Sequence, residues 1–338
     1  MSKILVIGPA WVGDMVMAQS LFKLLKDRRP GVVIHVAAPT WTLPLLSRMP
    51  EVSGVTPLPF VHGRLDLRAR YAIGKKLRAE QFTQALVLPN SFKSALIPWF
   101  ANIPLRTGWS RELRSLILND SRTLDKKRYP LMVPRFLALG LQPQEALPSV
   151  YAYPELSSDV RTQAAALKNL DLTAPTTPVL ALCPGAEFGP SKRWPEEAYA
   201  EVARAKLAAG WQVWLFGSAK DKVVTEGIMA LTQQACLDLT GKTRLDEAID
   251  LLALTTAVVT NDSGLMHVAA ALKKPILAIY GSTSPGFTPP LAEKVSIRQL
   301  TLPCQPCFKR ECPLQHHRCM RDLTPASVLN SLEELIAA

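Results

Sequence analysis

Short apolar runs alternate with amphipathic helical patterns along this 338-residue chain, and that alternation restricts its fold more than any other feature. The first run occupies residues 4–7, and residues 14–28 follow with apolar side chains at helical spacing. Similar runs recur farther along, at residues 33–37, 85–88, 179–183, 212–216, 257–260 and 276–280. Because parallel strands need a crossover connection that is usually a helix, the pattern predicts an α/β fold with mostly parallel sheets.

The length of the chain and a proline- and serine-containing segment near its middle predict two domains. A domain holds roughly 150 residues, so each half is long enough to bury its own core. Residues 143–178 contain prolines and serines around a single helix-like segment, residues 159–170, and we place the hinge there. We therefore expect domains over residues 1–157 and 158–338, with ligands bound beyond the carboxyl ends of strands in the cleft between them.

Positive charge is concentrated in the first half of the chain. Residues 1–150 carry 21 Lys and Arg against 9 Asp and Glu, a net charge of +12, whereas residues 151–338 carry 18 against 19. This asymmetry predicts an anionic partner for the first domain: nucleic acid, an anionic membrane surface or an acidic substrate. The candidate contacts are Arg64, Arg68, Arg70, Lys75, Lys76, Arg78, Arg106, Arg111 and Arg114, the last three on a shared face if their segment is helical. For any one of them, a solvated cation that only keeps the protein soluble is the better interpretation, but less so for the set as a whole.

The composition is that of a globular protein, with 48% hydrophobic and 20% charged residues. No apolar run approaches the roughly 18 residues that span a bilayer. Asp14 also interrupts the one region that resembles a leader peptide. We therefore expect a cytoplasmic protein.

The turn after the first predicted strand resembles a nucleotide-binding loop but fails both common patterns. Gly8 and Gly13 have the P-loop spacing, yet Asp14 stands where the phosphate-binding lysine belongs. An aspartate at a helix start is held ionised by the helix dipole and is able to serve as a general base. A simple helix cap is the alternative interpretation of Asp14, and the residues alone leave both open.

A second candidate site follows the strand predicted at residues 257–260. Ser263 and Gly264 would present free backbone N–H groups at a helix start, and His267 lies one turn further on the same face. Asp262 is able to accept hydrogen bonds from sugar hydroxyl groups. The alternative is an ordinary cap with a core histidine.

Two further loops follow strands in the second half. Residues 184–195 contain the adjacent cations Lys192 and Arg193, which would stabilise a pyrophosphate leaving group, although solvated surface cations are an equally good interpretation. Asp221, after the next strand, is a weaker candidate for binding ribose hydroxyl groups.

Four of the six cysteines stand close together near the C-terminus. The spacing of Cys304, Cys307, Cys312 and Cys319, with His316 and His317 among them, fits a zinc site only in part, because zinc sites favour two close pairs. Disulfides are rare in the cytoplasm, so we expect reduced structural thiols and little or no stoichiometric zinc. Cys183 and Cys236 fall on strand-like runs and are predicted to be core residues.

Three motifs together resemble one enzyme family. Gly13-Asp14-Met15, Lys192-Arg193-Trp194-Pro195 and Asn261-Asp262-Ser263-Gly264-x2-His267 are similar to those of the ADP-heptose:lipopolysaccharide heptosyltransferases of glycosyltransferase family 9. The resemblance extends from residue 3 to about residue 322. Residues 184–195 and 304–319 are most similar to the members that add the second inner-core heptose.

The resemblance implies a GT-B architecture, in which two Rossmann-like domains face each other across a cleft. It implies that the first domain holds the acceptor and the second the nucleotide-sugar. By the same resemblance Asp14 is the catalytic base, Lys192 contacts the donor phosphates and Asp262 holds the donor heptose. The other substrate-binding residues would be Gly13, Asp221, Ser263, Gly264 and His267.

One departure from the family concerns the loop before Lys192. Members that add the first heptose have two threonines there, whereas this chain has Glu187 and Phe188, which carry no hydroxyl group for the phosphates.

The implied reaction is inverting transfer of heptose from ADP-heptose to the first heptose of heptosyl-Kdo2-lipid A. This acceptor is anionic and lies at the inner face of the cytoplasmic membrane, so peripheral membrane contact is expected. No cofactor, no metal and no nucleic acid would take part.

Three other functions are alternatives to this heptose transfer. A family member with another core acceptor is the nearest of them. A dinucleotide oxidoreductase would need a complete Gly-x-Gly-x-x-Gly loop, which the sequence lacks. A basic nucleic-acid-binding protein would explain the charge, but the first half has no aromatic-rich RNA-binding sequence and no recognisable reading helix.

Overall fold

The computed structural model describes residues 2–60 and 64–337. The chain divides into two compact units, Met1–Pro154 and Glu155–Ala338. Each unit contains one six-stranded parallel sheet with helices between its strands, so the predicted α/β class is confirmed. The assignment of acceptor to the first half and donor to the second stays a prediction.

The first unit is a doubly wound sheet with strand order β3-β2-β1-β4-β5-β6, the order of dinucleotide-binding folds. Its central strands are rich in Val, Ile and Leu because both of their faces are buried. Strands β1 to β6 span Lys3–Ile7, Val33–Pro39, Val52–Leu58, Gln84–Val87, Leu105–Trp109 and Asp120–Arg122. Helices α1 to α5 span Val12–Arg28, Leu43–Leu46, Leu67–Leu77, Phe92–Phe100 and Met132–Gly140.

The second unit repeats this topology with strand order β12-β11-β10-β7-β8-β9. Strands β7, β10 and β11 are buried along their whole length and form the centre of the sheet. Strands β7 to β12 span Val179–Cys183, Gln212–Leu215, Leu237–Asp238, Ala257–Asn261, Ile276–Tyr280 and Val295–Gln299. Helices α6 to α12 span Val160–Asn169, Glu196–Ala208, Lys222–Leu231, Leu245–Ala253, Gly264–Ala271, Arg318–Arg321 and Pro325–Ala337.

Local signals explain several of these boundaries. Helix α6 begins after Asp159, whose carboxylate accepts hydrogen bonds from the backbone of Arg161 and Thr162, as expected for a capping box. Helix α1 begins at Val12, two residues before the predicted start. Cys236 is buried as predicted, but it lies just before β9 rather than within a strand.

Within the described residues, no helix is both long and apolar enough to cross a membrane.

Candidate functional site

Asp14 lies in the first turn of α1, at the carboxyl end of β1, where parallel sheets bind ligands. Its side chain is half-buried, and Gly13 beside it is buried. The N-cap position belongs to Trp11, which makes no capping hydrogen bond through its side chain. Asp14 is therefore not the N-cap residue of α1, and its role as a base stays a prediction.

Arg70 is structural and does not face an anionic partner, so its assignment to acceptor contacts is wrong. The residue is only 4% exposed, its Nε donates to the Leu65 carbonyl at 2.6 Å, and its guanidinium lies 3.9 Å from the ring centroid of Phe60. Burial also lowers the pKa of Arg70.

Arg114 is likewise structural, because it is fully buried and joins two loops of the first unit. Its guanidinium donates to the carbonyl groups of Trp109 and Pro89 and to Oδ1 of Asn90. Burial lowers the pKa of Arg114 to about 10. The expected shared helical face is also wrong, since Arg106 lies on β5 and Arg114 begins a short 3₁₀ turn.

Three of the remaining candidate cations, Arg64, Arg68 and Arg111, are near exposed leucines in sequence. The segment before α3 and the loop after β5 both contact the start of α4, through Lys93 Nζ to the Arg64 carbonyl at 3.3 Å and the Phe92 N–H to Glu112 Oε2 at 2.8 Å. Leu113 and Leu116 are 76% and 81% exposed. We call the set the basic–leucine surface, formed by Arg64, Leu65, Leu67, Arg68, Arg111, Leu113 and Leu116.

In the second unit, Lys192 and Asp262 form an ion pair at the carboxyl ends of β7 and β10. Lys192 Nζ lies 2.6 Å from Asp262 Oδ2 and 3.2 Å from the Asp262 carbonyl oxygen. Thr283, after β11, donates to the same Oδ2 at 2.6 Å. Since both charged side chains are mostly buried, the pair is shielded from solvent, and solvated surface cations no longer describe Lys192.

The start of α10 adjoins this pair. Ser263 is the N-cap residue, and its hydroxyl accepts a hydrogen bond from the Met266 N–H at 3.4 Å. Gly264 begins the helix, so the positive end of its dipole lies next to Asp262. His267 is buried, and burial lowers its pKa to about 4 despite the opposing effect of Asp262, so the ring is neutral near pH 7.

Asn261 connects the loop that follows β7 to the end of β10. Its Oδ1 accepts hydrogen bonds from the Trp194 N–H at 3.2 Å and the Tyr199 hydroxyl at 3.0 Å. Its Nδ2 donates to the Pro184 carbonyl at 2.6 Å. Because Asn261 is fully buried, these bonds fix the loop after β7 against the end of β10.

Asp221 lies after β8, against the same loop. A Cβ atom on Gly185 would overlap the Asp221 carboxylate, so only glycine allows this close approach. Asp221 Oδ2 accepts from the Ser218 N–H at 2.9 Å and the Ser218 hydroxyl at 2.8 Å, and Oδ1 lies 3.8 Å from Arg193. The Nε of Arg193 is buried and has no hydrogen-bond partner among the described residues.

Glu187 and Phe188 take defined positions beside Lys192. Glu187 forms an exposed ion pair with Lys220. Phe188 places its ring centroid 5.1 Å from Lys192 Nζ and 5.7 Å from Arg310 Cζ.

The cysteine-rich segment, residues 304–319, packs against the loop after β7 that carries Lys192. The side chains of Cys304, Cys307, Cys312 and Cys319 line one cavity together with Ser191, Ser282, His316 and His317. Backbone N–H groups around Cys312 lower the pKa of its thiol, and burial raises the pKa of Cys319. In the part of the chain that the structure describes, no three His, Cys, Asp or Glu side chains are arranged to hold a metal ion. The absence of stoichiometric zinc stays a prediction.

The sequence did not single out Thr283, Phe188 or Asn261 for these contacts. The run Gly281-Ser282-Thr283-Ser284 directly follows β11 and is a signal of the same kind as the loops that were selected. Asn261 was noted only as part of a motif, and its partners lie 62 to 77 residues away in sequence.

Comparison with known proteins gives one consistent result. A sequence model described as "Glycosyltransferase family 9 (heptosyltransferase)" matches residues 70–318. The chain is 47% identical to lipopolysaccharide heptosyltransferase 2 of Salmonella typhimurium, over 99% of each protein. It is also 47% identical to lipopolysaccharide heptosyltransferase 2 of Escherichia coli, over 99% of this chain and 98% of that protein.

A solved structure agrees with the sequence comparison. The ADP-heptose lipopolysaccharide heptosyltransferase II of E. coli superposes with a TM-score of 0.90 at 45% identity, covering 99% of this chain and 98% of the other.

Proposed function

This chain belongs to glycosyltransferase family 9, the heptosyltransferases, and from that premise we propose that it moves L-glycero-D-manno-heptose from ADP-heptose onto the first heptose of the lipopolysaccharide inner core. The observation that carries the proposal is the group at the strand ends of the second unit, where Lys192, Asp262 and the start of α10 meet. Full-length identity of 47% to lipopolysaccharide heptosyltransferase 2 supports the choice of acceptor.

The donor is bound by the second unit. The E. coli relative is named for ADP-heptose, and the second unit offers groups suited to each part of that molecule. Lys192 and the N–H groups at the start of α10 attract the diphosphate, and Asp262 accepts hydrogen bonds from heptose hydroxyl groups. Asp221 and the unpartnered Nε of Arg193 lie where ribose or phosphate oxygens would complete their hydrogen bonding.

The transfer step needs a base and a stabilised leaving group. Asp14 takes the proton from the acceptor hydroxyl as its oxygen forms a bond to the anomeric carbon of the donor heptose. The bond from that carbon to the phosphate oxygen breaks, and ADP leaves with the electron pair. Attack from the face opposite ADP inverts the anomeric centre. Lys192 and the α10 dipole stabilise the charge that develops on the departing diphosphate, so the step is proposed without a metal ion or cofactor.

The first unit binds the acceptor at a membrane surface. Heptosyl-Kdo2-lipid A carries carboxylates and phosphates, and the basic–leucine surface combines cations with exposed apolar side chains. Such a combination suits the boundary between anionic headgroups and acyl chains. We therefore place the protein at the inner face of the cytoplasmic membrane as a peripheral protein.

A transfer assay tests the function and its nearest alternative together. Purified protein is incubated with ADP-heptose and one of two acceptors, Kdo2-lipid A that carries one heptose or Kdo2-lipid A that carries none. The product masses are measured by mass spectrometry. We expect one heptose to be added only to the acceptor that already carries one. Transfer to the heptose-free acceptor instead would favour a family member with another acceptor. Filter binding to DNA at physiological salt covers the nucleic-acid alternative, for which we expect no retention.

A further inference from the structure

The cysteine-rich segment is joined to the loop that carries Lys192 through backbone contacts. The Arg310 carbonyl accepts the Ser191 N–H at 3.2 Å, and the Lys309 carbonyl accepts the Ser191 hydroxyl at 2.5 Å. Since the Ser191 hydrogen is used there, Ser282 donates to Ser191 across 2.9 Å. Gly189 has a φ of +155°, and a Cβ atom there would lie 2.5 Å from the Arg310 carbonyl oxygen. These contacts fix where the Arg310 side chain leaves the backbone.

The Arg310 guanidinium and the Lys192 ammonium share one aromatic ring. Both lie within about 6 Å of the Phe188 ring centroid, close enough for cation–π attraction. Phe188 thereby has a positive charge from each of two loops near its ring. Two positive charges around one ring raise the local positive potential, which favours an anionic ligand there.

The neighbouring cations each lie near a carboxylate. Lys192 is paired with Asp262, Arg193 lies near Asp221, and Lys220 is paired with Glu187. Among the described residues, no carboxylate lies within ion-pair distance of Arg310, whose side chain is exposed. A diphosphate brings at least two negative charges, so a second cation near Lys192 would add to the attraction that Lys192 provides.

We propose that Arg310 binds the diphosphate of the nucleotide-sugar beside Lys192, and that Phe188 positions the two cations. The inference rests on the proposed function, since it concerns the same donor. A guanidinium presents two parallel N–H groups that match two phosphate oxygens, and it stays charged when it is partly desolvated.

Calorimetric titration with ADP and with adenosine tests the assignment. Arg310→Gln should weaken ADP binding about tenfold or more, which is typical of a lost charge-assisted hydrogen bond, and leave adenosine binding within twofold of the wild type. Arg310→Lys, which keeps the charge but loses the two parallel donors, should fall between. Phe188→Leu should weaken ADP binding several-fold without affecting adenosine.

Lys309→Gln is the matched control, because it removes the same charge from the adjacent exposed residue and leaves the Phe188 contacts in place. Its ADP affinity should stay within twofold of the wild type. Equal ADP affinities for Arg310→Gln and Lys309→Gln would overturn the inference while the proposed function stands. A wild-type protein that binds no ADP would overturn the proposed donor, and the inference with it. Both variants should melt like the wild type, since the packing at residues 309 and 310 uses backbone carbonyl groups.

Discussion

At the scale of single residues, the candidate site depends on how each charge is held. Asp14 is half-buried at a positive helix end, and Lys192 and Asp262 are mostly buried against each other. His267 is buried next to that pair and is neutral near pH 7. Each arrangement has a measurable consequence.

If Asp14 is the base, Asp14→Asn should lower kcat by roughly 10²-fold or more and leave ADP affinity nearly unchanged. An amide keeps the size of the side chain but accepts no proton. Steady-state kinetics and ADP calorimetry measure the two effects. Asp27→Asn, an identical change at the exposed far end of α1, should retain full activity. Full activity of Asp14→Asn would remove Asp14 from the mechanism.

Lys192→Ala should weaken ADP binding and lower turnover together, because it removes positive charge from the diphosphate in both the ground state and the transition state. It also leaves Asp262 buried without its cation, so the free energy of unfolding should fall by about 3 kcal/mol. Calorimetry and urea denaturation measure these effects. Lys220→Ala removes an exposed pair nearby and should change stability by less than about 1 kcal/mol. Unaltered ADP affinity in Lys192→Ala would contradict the assignment.

His267 should make the protein less stable as the pH falls from about 6.5 towards 4. Burial lowers the pKa of His267 to about 4 in the folded protein, so in this window the unfolded chain binds a proton that the folded chain does not. Between pH 6.5 and 5 the loss is about 2 kcal/mol. Urea denaturation of the wild type and His267→Gln should show a shallower pH dependence in the variant. His35, whose pKa is also lowered by burial, leaves a dependence of the same sign in both proteins. Equal slopes would contradict the prediction.

At the scale of elements, the site around Lys192 is assembled from loops after neighbouring strands. The loops after β7, β10 and β11 each supply a residue to the Lys192 pair, and Asn261 holds two of them together. The cysteine-rich segment adds backbone contacts to the first of these loops. Parallel strands bring these loops to one sheet edge, although they are far apart in sequence.

Asn261→Ala should destabilise the second unit and weaken ADP binding. It leaves the Trp194 N–H, the Tyr199 hydroxyl and the Pro184 carbonyl without a partner in a buried place, at a cost of about 3 kcal/mol. Thermal unfolding and ADP calorimetry measure both effects. Asn169→Ala, which removes a single hydrogen bond from an exposed side chain to Glu247, should cost about 1 kcal/mol. Equal costs in the two variants would show that Asn261 does not hold the loops.

At the scale of the whole molecule, charge separates the two halves, with +12 in residues 1–150 and −1 in residues 151–338. The structure shortens the list of cations that could contact the anionic acceptor, because Arg70 and Arg114 are buried. Acceptor binding should therefore depend on the exposed cations of the basic–leucine surface.

Raising the salt concentration should increase the KM for the lipid acceptor far more than the KM for ADP-heptose, since exposed charges are screened over about 8 Å at physiological ionic strength. Replacing Arg64, Arg68 and Arg111 together by Gln should raise the KM for the lipid acceptor, as high salt does, and leave the KM for ADP-heptose nearly unchanged. Steady-state kinetics across a salt series measures both constants. Arg70→Gln and Arg114→Gln should instead lower the unfolding temperature, because they remove buried hydrogen bonds. An acceptor KM that stays flat with salt would contradict this role of the basic residues.

The sequence by itself determined the α/β class, most strand positions and the loops that carry Asp14, Lys192 and Asp262. These follow from local physics: apolar periodicity selects strands and helices, and loops after parallel strands gather at one sheet edge. The family resemblance added the reaction. Only the tertiary structure decided that Arg70 and Arg114 are internal, that Thr283 completes the Lys192–Asp262 pair and that Phe188 faces Arg310. Burial and pairing depend on residues distant in the chain, and no local pattern encodes which distant side chain meets a given charge.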